Sequence, residues 1–473
     1  MVSIGNFDRF MMGFTLGSHI LIVTLSIALS IFISVAEFLA IRKKDLYYYV
    51  LSKRLTKAFV IFFAVGTASG SVLAVELFSL WPPFMVLIGK VDILPFYYEV
   101  FAFLLESICL VLYFYYWDAF KNRYHHWILS VLIAIGTVMS AVFITLINAF
   151  MNTPSGFNIA VYKATGAVTD VNPIAAVLSP SALWEVTHVV TATVTAGMFA
   201  LLAYFAINYL KSREKEQKHV YSLGMKLAII MGTISVILAG LTGDQSMRMI
   251  MTLQPLKYAA VELNYFHSQA LAPEVLGGIL INGSIHYGIS IPGLQSMIAF
   301  LSLNSTQVVP GLLSYPKSLW PPLFVHLTFD TMVGGGTLMG LYALFLSYLI
   351  IRKKKFEFKL YLYGMVILGI LAEVVYDSGW VTDEVGRQPW IIYNVMTVQS
   401  AANLSPSVIP LGVAIIIFYL AVVPFTFYFT ARVLKNDSIG NELIKEKNNT
   451  DFVRHDIPLT KQDRDIPGSG GKR

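Results

Sequence analysis

The feature that most constrains this sequence is a series of nine apolar stretches. A membrane-spanning helix needs about 20 mostly apolar residues. The stretches lie at 14–41, 58–80, 96–117, 127–150, 181–210, 220–243, 321–351, 360–382 and 406–432. The sequence therefore predicts an all-α polytopic membrane protein with about nine transmembrane helices.

The composition supports this class, since 56% of the 473 residues are hydrophobic and only 13% are charged. Average soluble domains carry about 25% charged residues. A disordered chain, a nucleic-acid-binding protein and an ordinary cytoplasmic enzyme are therefore excluded. The single cysteine, Cys109, lies in an apolar stretch, which excludes a disulfide framework, a thiolate metal cluster and a CxxCH heme attachment.

Lysine and arginine are distributed unevenly between the connecting segments. Most of the 34 basic residues fall within 42–57, 121–126, 211–219, 352–359 and 432–473. The positive-inside rule predicts that these segments are cytoplasmic. An odd number of spans then puts the N-terminus outside and the C-terminus in the cytoplasm, so the net charge reflects topology and not a nucleic-acid partner.

The chain divides into four predicted parts. Residues 1–243 carry transmembrane helices 1 to 6, and residues 321–432 carry helices 7 to 9. Between them, 244–320 is an extracytoplasmic segment of a length that is usually functional. The polar tail, 433–473, is expected to be a disordered cytoplasmic extension.

Several ionisable side chains lie inside the predicted spans, where a charge costs at least a few kcal/mol. They are His19, Glu99, Glu106, Glu185, His188, His326, Asp330, Glu373 and Asp377, with Met332 as a soft metal ligand. Most belong to the outer halves of their spans, which indicates one functional layer. Glu99 and Glu106 are two helical turns apart and share a helix face, which favours a proton path or a cation site; for Glu99, solvation at the helix start is the alternative.

His19, His188 and Met332 occur at similar depths in three different spans. A His/Met pair is typical of a low-spin heme, whereas a single ligand leaves an iron position open for O2. A lone buried histidine is often a packing residue, and most methionines fill gaps in the core. From spacing alone, heme ligation and packing both remain open.

A set of motifs together resembles subunit I of the cytochrome bd family of quinol oxidases. In chain order they are Arg9 with His19, Phe103-Leu104-Leu105-Glu106-Ser107, Ser140 with Asn148 and Pro154, His188 with Thr191-Ala192 and Thr195 to Phe199, Gly243-Asp244 with Lys257 and Glu262, Phe329 with Met332, and Gly379-Trp380 with Gly386-Arg387-Gln388-Pro389-Trp390. The motif from Gly386 to Trp390 is the most specific of these.

The resemblance implies a role for each matching residue. His188 and Met332 match the axial ligands of the low-spin heme b. His19 matches the ligand of one heme of a high-spin pair, which consists of a second heme b and a heme d or a substitute heme. Lys257 and Glu262 match the quinol-binding residues of the outer loop, called the Q-loop, in its shorter form.

Further roles follow from the same resemblance. Glu99, Glu106 and Ser140 match the region that delivers protons to the oxygen site, and Arg387 and Trp390 are expected to contact the cofactor. The implied enzyme is a quinol:oxygen oxidoreductase of a prokaryotic plasma membrane, which oxidises quinol outside, reduces O2 to water and generates proton-motive force. Its implied partners are a second multi-span subunit, either subunit II or a paralogue of subunit I, and a small single-span subunit.

The sequence departs from the family pattern at the high-spin site. Asp377 occupies the position of the family's glutamate ligand and is one methylene shorter; Glu373, one turn earlier on the same face, is the alternative ligand. Glu99 is one residue closer to Glu106 than the pattern requires. Asp330 replaces an arginine and is expected to pair with His326, four residues earlier.

Two alternatives to this function remain. One is a divergent paralogue of the family with an altered high-spin heme site. The other is a cation-coupled secondary transporter that uses Glu99, Glu106 and Lys226. The sequence lacks the internal repeat of many transporters, and a transporter leaves the motif from Gly386 to Trp390 unexplained.

Overall fold

The computed structural model of the chain describes residues 4–302, 306–436 and 438–448. Its helices are α1 Ile4–Lys43, α2 Leu46–Leu80, α3 Pro82–Val91, α4 Leu94–Tyr115, α5 Arg123–Asn152, α6 Ile159–Thr165, α7 Pro173–Val177, α8 Ala182–Lys211, α9 Lys215–Leu253, α10 Pro255–Val261, α11 Leu294–Phe300, α12 Val325–Ile351, α13 Lys359–Gly386, α14 Val398–Ala401, α15 Val408–Asn436 and α16 Ile439–Asn448. Two antiparallel hairpins pair β1 Glu274–Ile281 with β2 Ser284–Ile291, and β3 Trp390–Ile392 with β4 Met396–Thr397.

Among the described residues, nine helices are long and apolar enough to cross a membrane: α1, α2, α4, α5, α8, α9, α12, α13 and α15. This confirms the nine predicted spans. Several helices, such as α1, α5 and α9, extend past both ends of their apolar stretches. At the start of α2, the Asp45 side chain accepts a hydrogen bond from the Tyr47 N–H at 2.8 Å. Since α9 continues to Leu253, the long connection begins at 254 and not at 244.

The helices α1 and α8 form the centre of the bundle. In the most apolar segment of α1, 72% of the residues are buried, and in that of α8, 61% are buried. The corresponding shares are only 17% for α12 and 22% for α15. Both α8 and α12 pack on α9 and α13, so these four helices form a ring in which α8 and α12 are diagonally opposite. On another side of α1, α4 packs on α5.

The two ends of the bundle differ in composition. We call the end that carries residues 254–324 the loop end, and the opposite end, where α1 finishes with Arg42 and Lys43, the basic end. The connection at the loop end is folded: it contains α10, the β1–β2 hairpin and α11, and Gln269 forms a β-bridge with Val309. This folded connection covers the loop end of the four-helix ring.

The C-terminal segment differs from the prediction of disorder from 433 onwards. The helix α15 continues to Asn436, and α16 packs on α2. The ion pairs Lys53–Glu446 at 2.9 Å and Lys57–Glu442 at 2.8 Å join the two helices. The prediction is therefore wrong for the described part of 433–448, because basic side chains of α2 bind acidic ones of α16. Residues 449–473 lie outside the described residues.

Candidate redox and quinol-binding site

His188 on α8 is held in one orientation by α9. Its Nδ1 lies 3.1 Å from the carbonyl oxygen of Ala239, which accepts the ring N–H. A histidine with this bond presents the lone pair of Nε2 to a metal. Gly243 makes room for the ring, because a Cβ at this position would lie 3.0 Å from Cε1 of His188.

Met332 on α12 has a similar relation to α13. A Cβ at Gly379 would lie 2.9 Å from the Met332 sulfur, so only glycine leaves that sulfur its present position. His188 and Met332 therefore come from diagonally opposite helices of the ring, and each adjoins a glycine of a neighbouring helix. With this arrangement, both side chains would be able to hold one heme between the helices.

His19 on α1 has one ring nitrogen fixed by α2. Its Nδ1 lies 2.8 Å from the Ser69 hydroxyl, which itself donates to the carbonyl oxygen of Gly66 at 3.0 Å. The hydroxyl therefore accepts the Nδ1–H, and Nε2 carries the lone pair. Because a Cβ at Gly70 would lie 3.2 Å from Cε1 of His19, glycine again adjoins the ring. These contacts fit a single histidine ligand.

Glu373 and Asp377 lie one turn apart on α13. Both carboxylate oxygens of Glu373 and the Oδ1 of Asp377 are buried and lack a hydrogen-bond partner within the described part of the chain. A buried carboxylate without donors is costly, so both groups fit a cation such as iron.

Glu99 and Glu106 face α5 from α4. The Ser140 hydroxyl donates to Glu99 Oε1 at 2.6 Å. Glu106 is buried against Gly136 of α5. A side chain at that glycine would be too close, because its Cβ would lie 3.0 Å from the Glu106 Cβ. The three predicted proton-delivery residues thus share the α4–α5 interface. Lys226, by contrast, lies on α9 with its ammonium 5.8 Å from the Phe356 ring.

A buried ionic network that the sequence does not single out surrounds Lys257. The Lys257 ammonium donates to Asp383 and, at 3.2 Å, to Asn152 Oδ1. Asn152 and Asn148 also donate to Asp383, at 3.2 Å and 2.5 Å. Two adjacent acidic residues at the end of α13, directly before the motif from Gly386 to Trp390, are the signal that could have indicated this network.

Arg387 extends the same network. It donates to Asn148 Oδ1 at 2.9 Å and to Glu384 Oε2 at 2.5 Å, while its buried Nε has no partner among the described residues. A guanidinium with an open donor fits a carboxylate such as a heme propionate. Trp390 follows at the start of β3, and its backbone N–H donates to the Arg387 carbonyl at 3.1 Å.

Glu262, at the C-terminal end of α10, has acidic neighbours. It is 7% exposed, and its carboxyl group lies within hydrogen-bonding range of Glu274 on β1. Burial, together with Glu274 and Asp330, raises the pKa of Glu262 well above its ordinary value. Burial also raises the pKa of Glu274. The expected pair of His326 and Asp330 is confirmed, with 3.4 Å between Nε2 and Oδ2.

A cavity of about 470 Å³ lies between the β1–β2 hairpin and the segment before α12. Its lining consists of Tyr265, Leu280, Asn282, Gly283, Leu313, Tyr315, Lys317 and Trp320. Such a volume suits a small organic molecule. Lys257 and Glu262 do not line the cavity, whereas Tyr265, three residues after Glu262, does.

The fold and the site define an integral membrane protein whose bundle presents histidine, methionine and carboxylate groups in positions suited to heme iron. A family model described as "Cytochrome bd terminal oxidase subunit I" matches residues 7–438. The chain therefore belongs to the cytochrome bd terminal oxidase subunit I family and is a subunit of a terminal quinol oxidase. The family implies heme cofactors, and the transporter alternative gains no support.

Individual relatives agree with this assignment. The chain is 33% identical over 406 residues to the "Putative cytochrome bd menaquinol oxidase subunit I" of Bacillus subtilis, covering 85% of this chain and 89% of the relative. It is 30% identical to the "Cytochrome bd ubiquinol oxidase subunit 1" of the same organism, over 82% of this chain and 84% of that one. The solved bd oxidase from Geobacillus thermodenitrificans superimposes with a TM-score of 0.85 at 32% identity, over 92% of this chain and 99% of that chain.

Proposed function

We propose that this chain oxidises a membrane quinol at its loop end and provides heme sites for the reduction of O2 to water. The observation that carries the proposal is the arrangement of His188 and Met332, which come from diagonally opposite helices and each adjoin a glycine. The hemes supply the electron transfer and the oxygen chemistry when they are bound. The chain supplies the ligands, the quinol site and the groups that move protons.

The proposed ligand roles come from the family resemblance, and the contacts of each side chain support them. His188 and Met332 would hold a low-spin heme b, and His19 would hold one heme of the high-spin pair, a second heme b or a heme d. Glu373 or Asp377 would hold the other high-spin heme, since both carry buried oxygens without a partner in the described residues. The alternative proposal is a divergent member of the family with an altered high-spin heme site, because Asp377 is shorter than the family's glutamate.

The quinol site consists of Lys257 and Glu262 at the two ends of α10. Glu262 takes up a proton from the quinol, while Lys257 connects the loop to the network of Asp383 and Arg387. The named relatives include both a menaquinol and a ubiquinol oxidase. Parallel assays with menaquinol and ubiquinol analogues on the purified enzyme would distinguish the two substrates.

Proton uptake is assigned to Glu99, Glu106 and Ser140 at the α4–α5 interface, and proton release to the loop end. By the positive-inside rule, the basic end faces the cytoplasm and the N-terminus lies outside, in the plasma membrane of a prokaryote. Release and uptake on opposite sides then generate a proton-motive force. A proton-uptake assay in liposomes, with the enzyme inserted in one known orientation, tests this assignment.

The oxidase requires a second multi-span subunit, for which we propose subunit II, with a small single-span subunit as a further partner. Large apolar side chains are exposed along α12 and α15, for example Leu341 at 62% and Ile417 at 61%. Lipid covers such surfaces as readily as protein does. Co-purification with a tagged copy of this chain would identify the partner.

The heme assignment is tested by His188→Ala in the purified oxidase. We expect the reduced-minus-oxidised spectrum to lose the low-spin heme b band, because no other side chain replaces the lost ligand at that position. His125→Ala, an exposed histidine on α5, is the matched control and should retain the band. An unchanged spectrum of the His188 variant would contradict the assignment, and a pyridine hemochrome analysis would count the hemes.

A further inference from the structure

Glu274, the first residue of β1, belongs to none of the family motifs, yet it lies against Glu262. The two carboxyl groups are within hydrogen-bonding range, and Glu262 is buried. Two carboxylates in contact repel each other strongly, so such a pair keeps one proton between its two members. Glu262 also ends α10, where the helix dipole further disfavours a negative charge.

A second pair of side chains lies beside these carboxyls. The two ring nitrogens of His326 lie 2.8 Å from the Val261 carbonyl oxygen and 2.9 Å from that of Gly277. The ring is therefore held between α10 and β1. Asp330, 3.4 Å from His326, accepts the Gly277 N–H at 2.5 Å, so its carboxylate already has two partners.

Within the described part of the loop, Tyr258 on α10 and Gln295 on α11 also face the carboxyl pair. Arg248 on α9 faces Tyr258 and is paired with Asp244 at 2.9 Å. Arg248 thus has an acidic partner of its own, and His326 lies beside Asp330. Glu262 and Glu274 have each other as their acidic neighbour.

We propose that Glu274 is the proton-accepting partner of Glu262 during quinol oxidation. The quinol O–H bond breaks as an O–H bond forms on Glu262, and the proton that the pair already shares then resides on Glu274. The Glu274 O–H bond breaks when that proton leaves to solvent at the loop end, and no electron moves in these proton transfers.

The position of Glu274 gives the transfer its direction. Glu262 is buried, whereas Glu274 is half-buried at the start of a hairpin whose second strand is exposed along most of its length. The proton therefore moves from the interior towards solvent. This inference rests on the proposed quinol site, because Glu262 acts there as the first acceptor.

The test measures quinol oxidation by the intact oxidase over a range of pH in Glu274→Gln, with Glu274→Asp and His286→Gln as comparisons. We expect Glu274→Gln to lower kcat about tenfold or more with KM unchanged, since Glu274 does not contact the quinol. The acidic limb of the pH profile should move about one unit lower, because Glu262 loses a neighbouring negative charge. Glu274→Asp should retain the wild-type limb, and so should His286→Gln, which removes an exposed titratable group from the same hairpin.

The outcomes separate this inference from the quinol site itself. If Glu262→Gln abolishes quinol oxidation but Glu274→Gln keeps the wild-type rate and pH profile, the proton-sharing pair is wrong and the quinol site stands. If Glu262→Gln oxidises quinol at the wild-type rate, the quinol site fails. Should Glu274→Gln not assemble, infrared difference spectra of the wild type and Glu274→Asp decide: a protonated-carboxyl band shifted by the Asp substitution supports the pair, and an identical band overturns it.

Discussion

Lys257 and Glu262 are five residues apart, yet they have opposite electrostatic surroundings. Five residues rotate a helix by about 140° beyond one full turn, so the two side chains leave α10 on different faces. Lys257 enters a network in which Asp383 and the amides of Asn148 and Asn152 supply its partners. Glu262 instead meets the carboxyl group of Glu274.

The difference indicates that the two ends of one short helix have different functions. Opposite charges surround Lys257, so its side of α10 is a charge-balanced anchor between the loop and the end of α13. Like charge surrounds Glu262, so its side is arranged to hold a proton and to release it. The two residues matched by one family motif therefore perform different physical tasks.

The largest effect is expected from Asp383→Ala, which removes the anion from the Lys257 side. Lys257 and Arg387 then lose a buried counter-charge, and breaking a buried pair costs about 3–5 kcal/mol. Thermal unfolding of the detergent-solubilised oxidase should show the loss. The matched control is Glu216→Ala, which breaks the partly exposed pair with Lys447 at 3.0 Å and should cost less than about 1 kcal/mol. Equal stability of the two variants would show that the network is no anchor.

A smaller effect is expected from His326→Asn, which removes the clamp beside Glu262. The loss of bonds to the carbonyls of Val261 and Gly277 leaves buried acceptors unpaired, at a cost of about 1–3 kcal/mol. Hydrogen exchange should become faster in 261–281, while His286→Asn on the same hairpin should leave it unchanged. Wild-type protection in the His326 variant would contradict the clamp.

The smallest effect is expected in the stability of the loop, which should depend on pH. Because the pKa values of Glu262 and Glu274 are raised, these groups stabilise the fold below the ordinary glutamate value of about 4.3, and that contribution is lost as pH rises through the raised values. Proteolysis of the loop, scaled to the protease activity at each pH, should therefore become faster with increasing pH. Glu262→Gln should flatten this dependence; a slope unchanged in that variant would contradict it.

The predictions from the sequence differ most from the structure at short polar segments. The nine spans are predictable because apolar length is a local property, and the proposed ligands His188 and Met332 are recognisable within motifs. The helix α16 was not predicted, since its polar residues become ordered only through ion pairs with Lys53 and Lys57 of α2. Asp383 and Glu274 were missed for the same reason: their importance depends on remote partners.

The class of protein, the number of spans and the family are readable from the chain, because hydropathy and motif residues are local properties of the sequence. Which charges meet depends on how the helices and the hairpin pack. Lys257 and Asp383 are more than a hundred residues apart, and Glu262 meets Glu274 only because the hairpin folds back over α10. Electrostatic energy depends on distance in space, and that distance is set by packing and not by sequence separation.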